Sequence, residues 1–255
     1  MAVAFKVVIP ARYGSTRLPG KPLRLIAGKP MIAHVCERAL AAEAEQVVVA
    51  TDDQRIVDAV SKLGIEVVMT RADHNSGTER IAEVAQQYNW QDSDIIVNLQ
   101  GDEPLIPPSY IRATAQVLAD QSTAGIATLA APITEIEEVF NPNAVKVVLN
   151  KAGFALYFSR APIPWDRDNF ADQEARKNTT AHFLRHIGMY AYNVDFLQRY
   201  CAWDTSVLEN IECLEQLRIL WHDEKIAVAT VAETPEPGVD TEEDLRRVEQ
   251  VLLKQ

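Results

Sequence analysis

The sequence has few cysteines and no long apolar run. The chain has an odd number of cysteines, and the three are widely spaced: Cys36, Cys201 and Cys213. This pattern fits neither a disulfide framework nor a set of zinc ligands. No apolar run approaches the roughly 20 residues that a membrane-spanning helix needs. The first residues, MAVAFK, have neither the apolar core nor the cleavage site of a signal peptide. We therefore expect a cytoplasmic protein whose thiols are structural and which does not bind a membrane.

An excess of positive charge is absent as well. The chain has 25 basic and 36 acidic residues and a net charge of -11, which opposes nonspecific attraction to nucleic acid or to an anionic membrane. His182 and His186 are four residues apart, but the residues between them lack the glutamate of the HExxH zinc motif. We predict no nucleic-acid partner and no zinc site, so anions must be bound by local basic loops.

Apolar and amphipathic segments alternate through the first 131 residues. Hydrophobic residues make up 47% of the 255-residue chain, which is enough for a sizeable core. Strands are predicted at residues 5–9, 46–50, 65–69, 95–99 and 125–131, and helices after Pro30 and at residues 51–63, 76–88 and 109–120. This alternation is typical of right-handed βαβ crossovers. It predicts a Rossmann-like α/β fold with a mainly parallel sheet flanked by helices, and ligands bind at the carboxyl edge of such a sheet.

The alternation stops after residue 131. Residues 144–149 and 154–158 are predicted to form a hairpin, residues 162–180 are polar and broken by proline, and residues 186–192 are predicted to be extended. A helical run at 208–221, a strand at 226–231 and a final helix at 241–253 follow. We therefore divide the chain into an α/β half (1–131), an elaboration (132–225) and a strand with a helix (226–255) that return to the first half. Internal repeats and low-complexity linkers are lacking.

A cationic loop follows the first predicted strand. Its sequence, PARYGSTRLPGKP, carries Arg12, Arg17 and Lys21 where a buried strand has just ended, and anionic ligands bind at such loops. It is not a Walker loop, because five residues rather than four separate its glycines and a proline follows its lysine. The loop is interpreted either as an anion site or as an ordinary solvated surface loop.

Two aspartates are candidate metal ligands. Asp102, in NLQGDEP, directly follows the fourth predicted strand. Magnesium prefers one or two carboxylates together with phosphate oxygens and water, but an aspartate there can also support a tight turn. Asp240, in GVDTEEDL, has a stronger structural alternative, since Asp240 or Thr241 can cap the last helix with Glu243 or Asp244 completing a capping box. The local sequence favours the cap.

The segment SGTER begins the third predicted helix. Ser76 and Glu79 have the spacing of a capping box. A helix N-terminus also offers free N–H groups and the positive end of the helix dipole, so residues that cap the helix can position a nucleotide as well.

The loop sequence PARYGSTRLPGKPL closely resembles the N-terminal signature of the cytidylyltransferases that activate acidic keto-sugars, and among these the 3-deoxy-manno-octulosonate (Kdo) cytidylyltransferases match best. ADHNSGTER, FNPNAVKVV, YFSRAPIPWDRD, LRHIGMYAY, LENIECLEQLR and GVDT-EDL are similar to further segments of that family. The resemblance implies a homodimer that converts CTP and Kdo to CMP-Kdo and pyrophosphate for lipopolysaccharide biosynthesis. It assigns nucleotide binding to residues 1–131 and sugar binding and dimer formation to residues 132–225.

The resemblance also implies residue roles. Mg²⁺ is held by Asp102 and Asp240, which act in catalysis together with Arg12, Arg17 and Lys21. Implied nucleotide ligands are Pro10, Ala11, Arg12, Ser76, Gly77, Arg80 and Gln100. Implied sugar ligands are Gln100, Arg160, His186, Tyr190, Glu215 and Gln216. Arg167 is placed near the phosphates, and residues 169–181 match no motif and receive no role.

Some of these residues have plain structural alternatives, and the function has two rivals. Tyr190 in an alternating apolar strand can simply pack, and Glu215 with Arg218 has the spacing of an ordinary helical ion pair. Sialic acid or 8-amino-Kdo could replace Kdo, because periodicity does not distinguish a sugar hydroxyl from an amine. HIGMYAY and LEQLR favour Kdo over sialic acid. A noncatalytic nucleotide-binding module is the second rival, and the presence of both aspartates argues against it.

Overall fold

The computed structural model describes residues 3–15, 17–74, 76–177, 179 and 181–254. The strands are β1 (Lys6–Ala11), β2 (Leu25–Ile26), β3 (Lys29–Pro30), β4 (Gln46–Thr51), β5 (Glu66–Met69), β6 (Ile95–Asn98), β7 (Ile126–Pro132), β8 (Lys146–Leu149), β9 (Ala155–Ser159), β10 (Leu184–Asn193) and β11 (Ile226–Thr230). The helices are α1 (Met31–Ala41), α2 (Gln54–Ser61), α3 (Gly77–Gln87), α4 (Pro108–Asp120), α5 (Ile136–Phe140), α6 (Gln173–Arg176), α7 (Val194–Cys201), α8 (Val207–Glu212), α9 (Gln216–Trp221) and α10 (Glu242–Leu252).

One large twisted sheet has the strand order β11-β7-β10-β6-β1-β4-β5. Strands β6, β1, β4 and β5 are parallel to one another, as are β7 and β11. Strand β10 runs antiparallel between β6 and β7, and it also pairs with β8, which pairs with β9. The predicted α/β class, with parallel strands flanked by helices, is confirmed.

The core lies on both faces of this sheet. In β1, Val7 and Ile9 pack into one apolar cluster with residues of α1 and α4, whereas Val8 packs into a second cluster with α3 and α7. All three side chains are fully buried. Because successive side chains of a strand point to opposite faces, a strand covered on both faces must be apolar throughout, which is the pattern that the sequence shows. Polar groups can then emerge only where the strands end.

The segment after residue 131 differs most from the sequence-based expectation. Strand β10 belongs to this segment and lies in the middle of the sheet, so the predicted divisions of the chain share one sheet. The single helix predicted at 208–221 is wrong: α8 ends at Glu212, the next residue Cys213 has a left-handed φ of 52°, and α9 begins at Gln216. A left-handed residue is usually glycine, so the sequence carried no signal for this break. Helices α5, α6 and α7 were not predicted either.

The helices bear on membrane crossing and on the polar stretch 169–181. Within the described part of the chain, none of the helices has both the length and the apolar character needed to cross a bilayer. Helix α6 lies within the stretch 169–181 to which no role was given, and Asn178 and Thr180 of that stretch lie outside the described residues.

Candidate active site

Three chain segments meet at the carboxyl edge of the sheet. Strands β1 and β6 are parallel neighbours, so the cationic loop after β1 and the loop after β6 leave the sheet side by side. A Cβ on Gly101 would lie 2.8 Å from the carbonyl oxygen of Pro10, and a Cβ on Gly238 would lie 2.9 Å from that of Asp102. The backbone N–H of Val239 donates to the Asp102 carbonyl at 2.9 Å. These close approaches require glycine, and they bring the segment before α10 against the loop after β6.

A cluster of charges results from this meeting. The Nζ of Lys21 lies 2.6 Å from Asp102 Oδ2 and 3.1 Å from Asp240 Oδ1, and the Arg17 guanidinium lies 3.2 Å from Asp240 Oδ2. Burial lowers the pKa of Lys21, but the attraction and hydrogen bonds of the two carboxylates outweigh this effect and raise its pKa above the ordinary value. Lys21 is therefore a firmly protonated cation between two carboxylates that are far apart in sequence.

The N-cap of α10 is Thr241 and not Asp240. The Thr241 hydroxyl accepts a hydrogen bond from the Asp244 N–H at 3.2 Å, and the Asp244 carboxylate accepts one from the Thr241 N–H at 3.0 Å. Thr241 and Asp244 thus form the capping box. The carboxylate of Asp240 is left to face the cationic loop, so the capping alternative for Asp240 does not describe this structure.

Asp102 and Asp240 form a donor set suited to magnesium. Both carboxylates converge on one cationic group, and their side chains are 31% and 49% exposed, so they face the cavity rather than the core. Burial, and then the charge of Asp102, raise the pKa of the neighbouring Glu103 to about 7. In the described residues no group of three or more His, Cys, Asp or Glu side chains could hold a metal by itself. Two carboxylates completed by substrate oxygens are the arrangement that Mg²⁺ prefers.

A basic cavity of about 390 Å³ surrounds this charge cluster. The Arg12 guanidinium at its wall is oriented by a hydrogen bond to the carbonyl oxygen of His74. The lining of this cavity includes most of the residues that were predicted to bind phosphate, metal or nucleotide: Pro10, Ala11, Arg12, Arg17, Lys21, Gly77, Gln100, Asp102 and Asp240. The structure therefore brings together residues from both ends of the sequence in a single cavity.

A second cavity, of about 310 Å³, adjoins the first. The two share Gly77 and Gln100 as lining residues. Tyr190, Tyr192 and Tyr200 provide an aromatic wall, and Glu215 and Gln216 at the start of α9 provide polar groups. Of the predicted sugar ligands, Gln100, Tyr190, Glu215 and Gln216 lie in this cavity.

One buried polar group of the second cavity is left unpaired by the described residues. Gln216 is 6% exposed, and within the described residues its Nε2 has no hydrogen-bond partner. Burial, followed by the charge of Glu209, raises the pKa of Glu215. Buried polar groups are nearly always hydrogen-bonded in folded proteins, so the unpaired amide of Gln216 in the cavity wall indicates a polar ligand.

Ser76 and Arg80, predicted to contact the nucleotide, have structural partners. Ser76 caps α3 by accepting from the Glu79 N–H at 3.2 Å. The fully buried Arg80 donates to Asp52 Oδ2 at 2.9 Å and to the Thr70 hydroxyl. Neither residue lines the two cavities. They support the connection between β5 and α3, and their direct contact with a nucleotide stays a prediction.

Arg160 lies beside the second cavity rather than in it. Its guanidinium donates to the backbone carbonyls of Glu212 at 2.7 Å and Pro142 at 3.0 Å, so it ties the end of β9 to the end of α8. Arg167 is exposed and lines neither cavity. The predicted sugar contact of Arg160 and phosphate contact of Arg167 stay predictions.

His186 is likewise held by the protein. Its Nε2 lies 3.0 Å from the Thr128 hydroxyl and its ring packs edge-on against Phe158. Burial lowers the pKa of His186 to about 3, so the imidazole is neutral. It does not line the second cavity, although its ring contacts that of Tyr190, which does.

The sequence reasoning missed a set of polar residues where the two cavities join. The Tyr192 hydroxyl shares hydrogen bonds with the side chains of Thr78 and Asn98, and all three line the second cavity. Signals for them existed. Thr78 and Asn98 lie inside quoted motifs, and Tyr192 is two residues after Tyr190 on the same strand, so both rings must face the same side of the sheet.

Comparisons with known proteins agree with this geometry. The family model described as Cytidylyltransferase matches residues 6–226. The chain is 58% identical over 245 residues to a 3-deoxy-manno-octulosonate cytidylyltransferase of Idiomarina loihiensis, covering 96% of this chain and 97% of that protein. It is 59% identical over 251 residues to the protein of the same name from Yersinia enterocolitica, covering 98% and 99% of the two chains.

Solved structures agree as well. A CMP:2-keto-3-deoxy-manno-octonic acid synthetase complexed with CTP superimposes with a TM-score of 0.89 at 44% identity, covering 99% of each chain. A cytidylyltransferase from Leptospira borgpetersenii, at 19% identity and a TM-score of 0.63 over 100% of this chain and 88% of that one, shares the fold. The chain belongs to the cytidylyltransferase family.

Proposed function

We propose that this protein transfers the cytidylyl group of CTP to Kdo, giving CMP-Kdo and pyrophosphate. The observation that carries the proposal is the continuity of two chemically different cavities through Gly77 and Gln100. One is basic with a pair of acidic residues, as a metal-bound triphosphate requires. The other is polar and aromatic with a buried amide on Gln216 that the described residues leave unpaired, which suits a polar ligand such as a sugar. A nucleotide and a sugar bound side by side can react directly.

The residues of the basic cavity act by position and charge. Arg12, Arg17 and Lys21 clamp the triphosphate and balance the charge that redistributes as the α-phosphoryl bond to pyrophosphate breaks. The C2 hydroxyl of the sugar attacks the α-phosphorus from the side opposite the leaving pyrophosphate. The reaction requires no protein nucleophile.

We propose that Asp102 and Asp240 hold Mg²⁺ during this reaction. When bound, the ion neutralises charge on the phosphate oxygens and lowers the pKa of a coordinated hydroxyl. Since Lys21 hydrogen-bonds to both carboxylates, a bound ion would compete with its Nζ for these oxygens, and the triphosphate would offer the ammonium another partner.

The second cavity recognises the sugar. Gln216 Nε2 is a buried donor and Glu215 is an acceptor, so together they can bind adjacent sugar hydroxyls. A carboxylate accepts a hydrogen bond from an amine as readily as from a hydroxyl. Glu215 therefore does not exclude 8-amino-Kdo, which is included in the test below.

We also propose a cytoplasmic homodimer that supplies activated sugar for lipopolysaccharide biosynthesis. All three cysteines are free thiols, which is the usual state in a reducing compartment. Leu156 on β9 and Val207 and Ile211 on α8 are 60%, 61% and 74% exposed. These exposed apolar side chains lie in the segment 132–225 that is proposed to form the dimer, and two-fold dimers are the commonest assembly.

Pyrophosphate release with CTP and a panel of Kdo, 8-amino-Kdo and a sialic acid tests the proposal. We expect Kdo to give the highest kcat/KM and the chain to be dimeric in light scattering. UTP should be about tenfold to a hundredfold poorer than CTP, because a backbone carbonyl beside Pro10 and Ala11 that accepts from the cytosine amine would face the uracil carbonyl. Release with a sialic acid but not with Kdo would overturn the sugar assignment, and nucleotide binding without release would identify a noncatalytic module.

A further inference from the structure

Arg218 on α9 has two acidic neighbours within reach but binds only one of them. Glu215 is three residues earlier at the start of α9, at the spacing where side chains on a helix are neighbours. Instead, Arg218 makes a bidentate pair with Glu209, at 2.8 Å from Nε to Oε2 and 2.6 Å from Nη2 to Oε1. The ion pair that the sequence spacing indicates between Glu215 and Arg218 is not formed.

The pair of Glu209 and Arg218 is built into its surroundings. The two side chains are only 9% and 14% exposed. Glu209 is also the third residue of the capping box of α8, exchanging hydrogen bonds with Ser206. Arg218 also donates to the carbonyl of Trp203 at 3.3 Å and lies 4.9 Å from the ring centre of Tyr200. A bidentate, largely desolvated pair of this kind fixes the direction of the guanidinium.

The pairing of Arg218 with Glu209 leaves Glu215 of the second cavity without an ion-pair partner in the described part of the chain. Among the described residues, no side chain is hydrogen-bonded to the Glu215 carboxylate, and Glu215 lines the cavity together with Gln216. The nearby Arg218 charge still favours the ionised form of this carboxylate, which lowers its pKa against the larger effect of burial. Glu215 is thus kept near a cation but not bound by it.

We propose that Glu209 is a positioning residue for the sugar site, which holds Arg218 away from Glu215 and so leaves the Glu215 carboxylate available to the sugar. This inference rests on the proposed function. Without Glu209, the helical spacing allows Arg218 to turn to Glu215, and the protein itself then occupies the acceptor that the sugar needs.

Three variants distinguish competition between Arg218 and the sugar for Glu215 from a general loss of structure. Glu209→Gln removes the charge that holds Arg218 and leaves Arg218 free to bind Glu215. Arg218→Met removes the competitor but leaves Glu209 unpaired. Glu209→Gln combined with Arg218→Met removes both, and such replacements of a whole buried pair are often tolerated.

Steady-state KM values for Kdo and CTP, measured by pyrophosphate release, are the readout. We expect Glu209→Gln to raise the KM for Kdo about tenfold, which corresponds to about 1.4 kcal/mol, while the KM for CTP changes by less than about twofold because the basic cavity is untouched. The double variant should recover to within about threefold of wild type. Glu138→Gln is the matched control, because it breaks another partly buried pair of the same segment, with Arg185 at 2.5 Å, without touching Glu215.

Several results would overturn the inference. An unchanged KM for Kdo in folded Glu209→Gln, a double variant no better than Glu209→Gln, or a parallel rise in the KM for CTP would each do so. Thermal unfolding of every variant reports whether it is folded. Should Glu209→Gln not fold, Glu209→Asp replaces it, since a carboxylate set back by one methylene weakens the hold on Arg218, and an unchanged KM for Kdo would again contradict the inference. Absence of any sugar-dependent release by the wild-type protein would instead overturn the proposed function and this inference with it.

Discussion

Lys21 lies between the two carboxylates that are proposed to hold magnesium. Replacing it should therefore affect metal binding and turnover in opposite directions. Its Nζ lies 2.6 Å and 3.1 Å from oxygens of Asp102 and Asp240. Lys21→Met removes the charge but keeps most of the apolar stem. A divalent cation alone then no longer competes with an ammonium for the two carboxylates, whereas the triphosphate loses a cationic partner. We expect tighter binding of the metal alone and slower turnover in the same variant.

The magnitudes follow from the burial of the three groups. Two unit charges at about 4 Å attract by about 4 kcal/mol at an effective dielectric constant of about 20. The Lys21 side chain is 16% exposed but those of Asp102 and Asp240 are 31% and 49% exposed, so solvent screening and desolvation reduce the net competition to about 1 to 2 kcal/mol. Metal affinity should rise about fivefold to thirtyfold. Losing one preorganised donor at the transferring phosphate costs about 3 kcal/mol, or about a hundredfold in rate.

Calorimetric titration with Mn²⁺ in the absence of nucleotide measures the first effect, and pyrophosphate release with CTP and Kdo measures the second. Lys29→Met is the matched control, since Lys29 pairs with Glu37 at the same 2.6 Å but on the exposed surface. It should change neither quantity. Weaker or unchanged Mn²⁺ binding by Lys21→Met would refute the competition between Lys21 and the metal for the two carboxylates. A rate within about tenfold of wild type would show that Lys21 does not stabilise the transferring phosphate.

Three further predictions test other parts of the site. Asp240→Asn should reduce turnover about a hundredfold or more with no change in melting temperature, because Thr241 caps α10; near-normal pyrophosphate release would exclude a catalytic role. His186 has a pKa of about 3 in the folded protein against an ordinary 6.5, so its contribution to stability is present above pH 6.5 and is lost as the pH falls towards 3. Urea unfolding of His186→Gln should therefore show a smaller loss of stability from pH 7 to pH 4 than wild type, and an identical loss would contradict the buried neutral imidazole. Cys213 is exposed and lines the second cavity, whereas burial raises the pKa of Cys36 to about 12. A thiol reagent should therefore label Cys213 first and Kdo should slow this labelling, and equal rates with and without Kdo would place the sugar elsewhere.

Local sequence was sufficient to predict those features that depend on a single dominant interaction. The strands of the first half are buried on both faces, so their residues are apolar throughout and were predicted to within one or two positions. Arg12 directly follows β1, Lys21 lies later in the same loop, and Asp102 lies in the loop after β6. Parallel neighbours end at one edge of a sheet, so the site was expected at this edge. Ser76 caps α3 as its spacing indicates.

Local sequence could not decide between partners that fit the same pattern equally well. Asp240 and Thr241 are both acceptable N-caps, and the choice follows from the approach of Gly238 to the Asp102 carbonyl, a contact across more than a hundred residues. Likewise, Arg218 can pair with Glu215 by helical spacing, but the left-handed turn at Cys213 brings it to Glu209. The insertion of β10 between β6 and β7 depends on pairing with strands far away in sequence. Residue order alone predicts which segments are buried and which charges follow them, because the apolar pattern of a strand or helix involves only neighbouring residues. The fold decides which of several suitable partners each charged group binds, because that choice depends on which chain segments the sheet brings within hydrogen-bonding distance of one another.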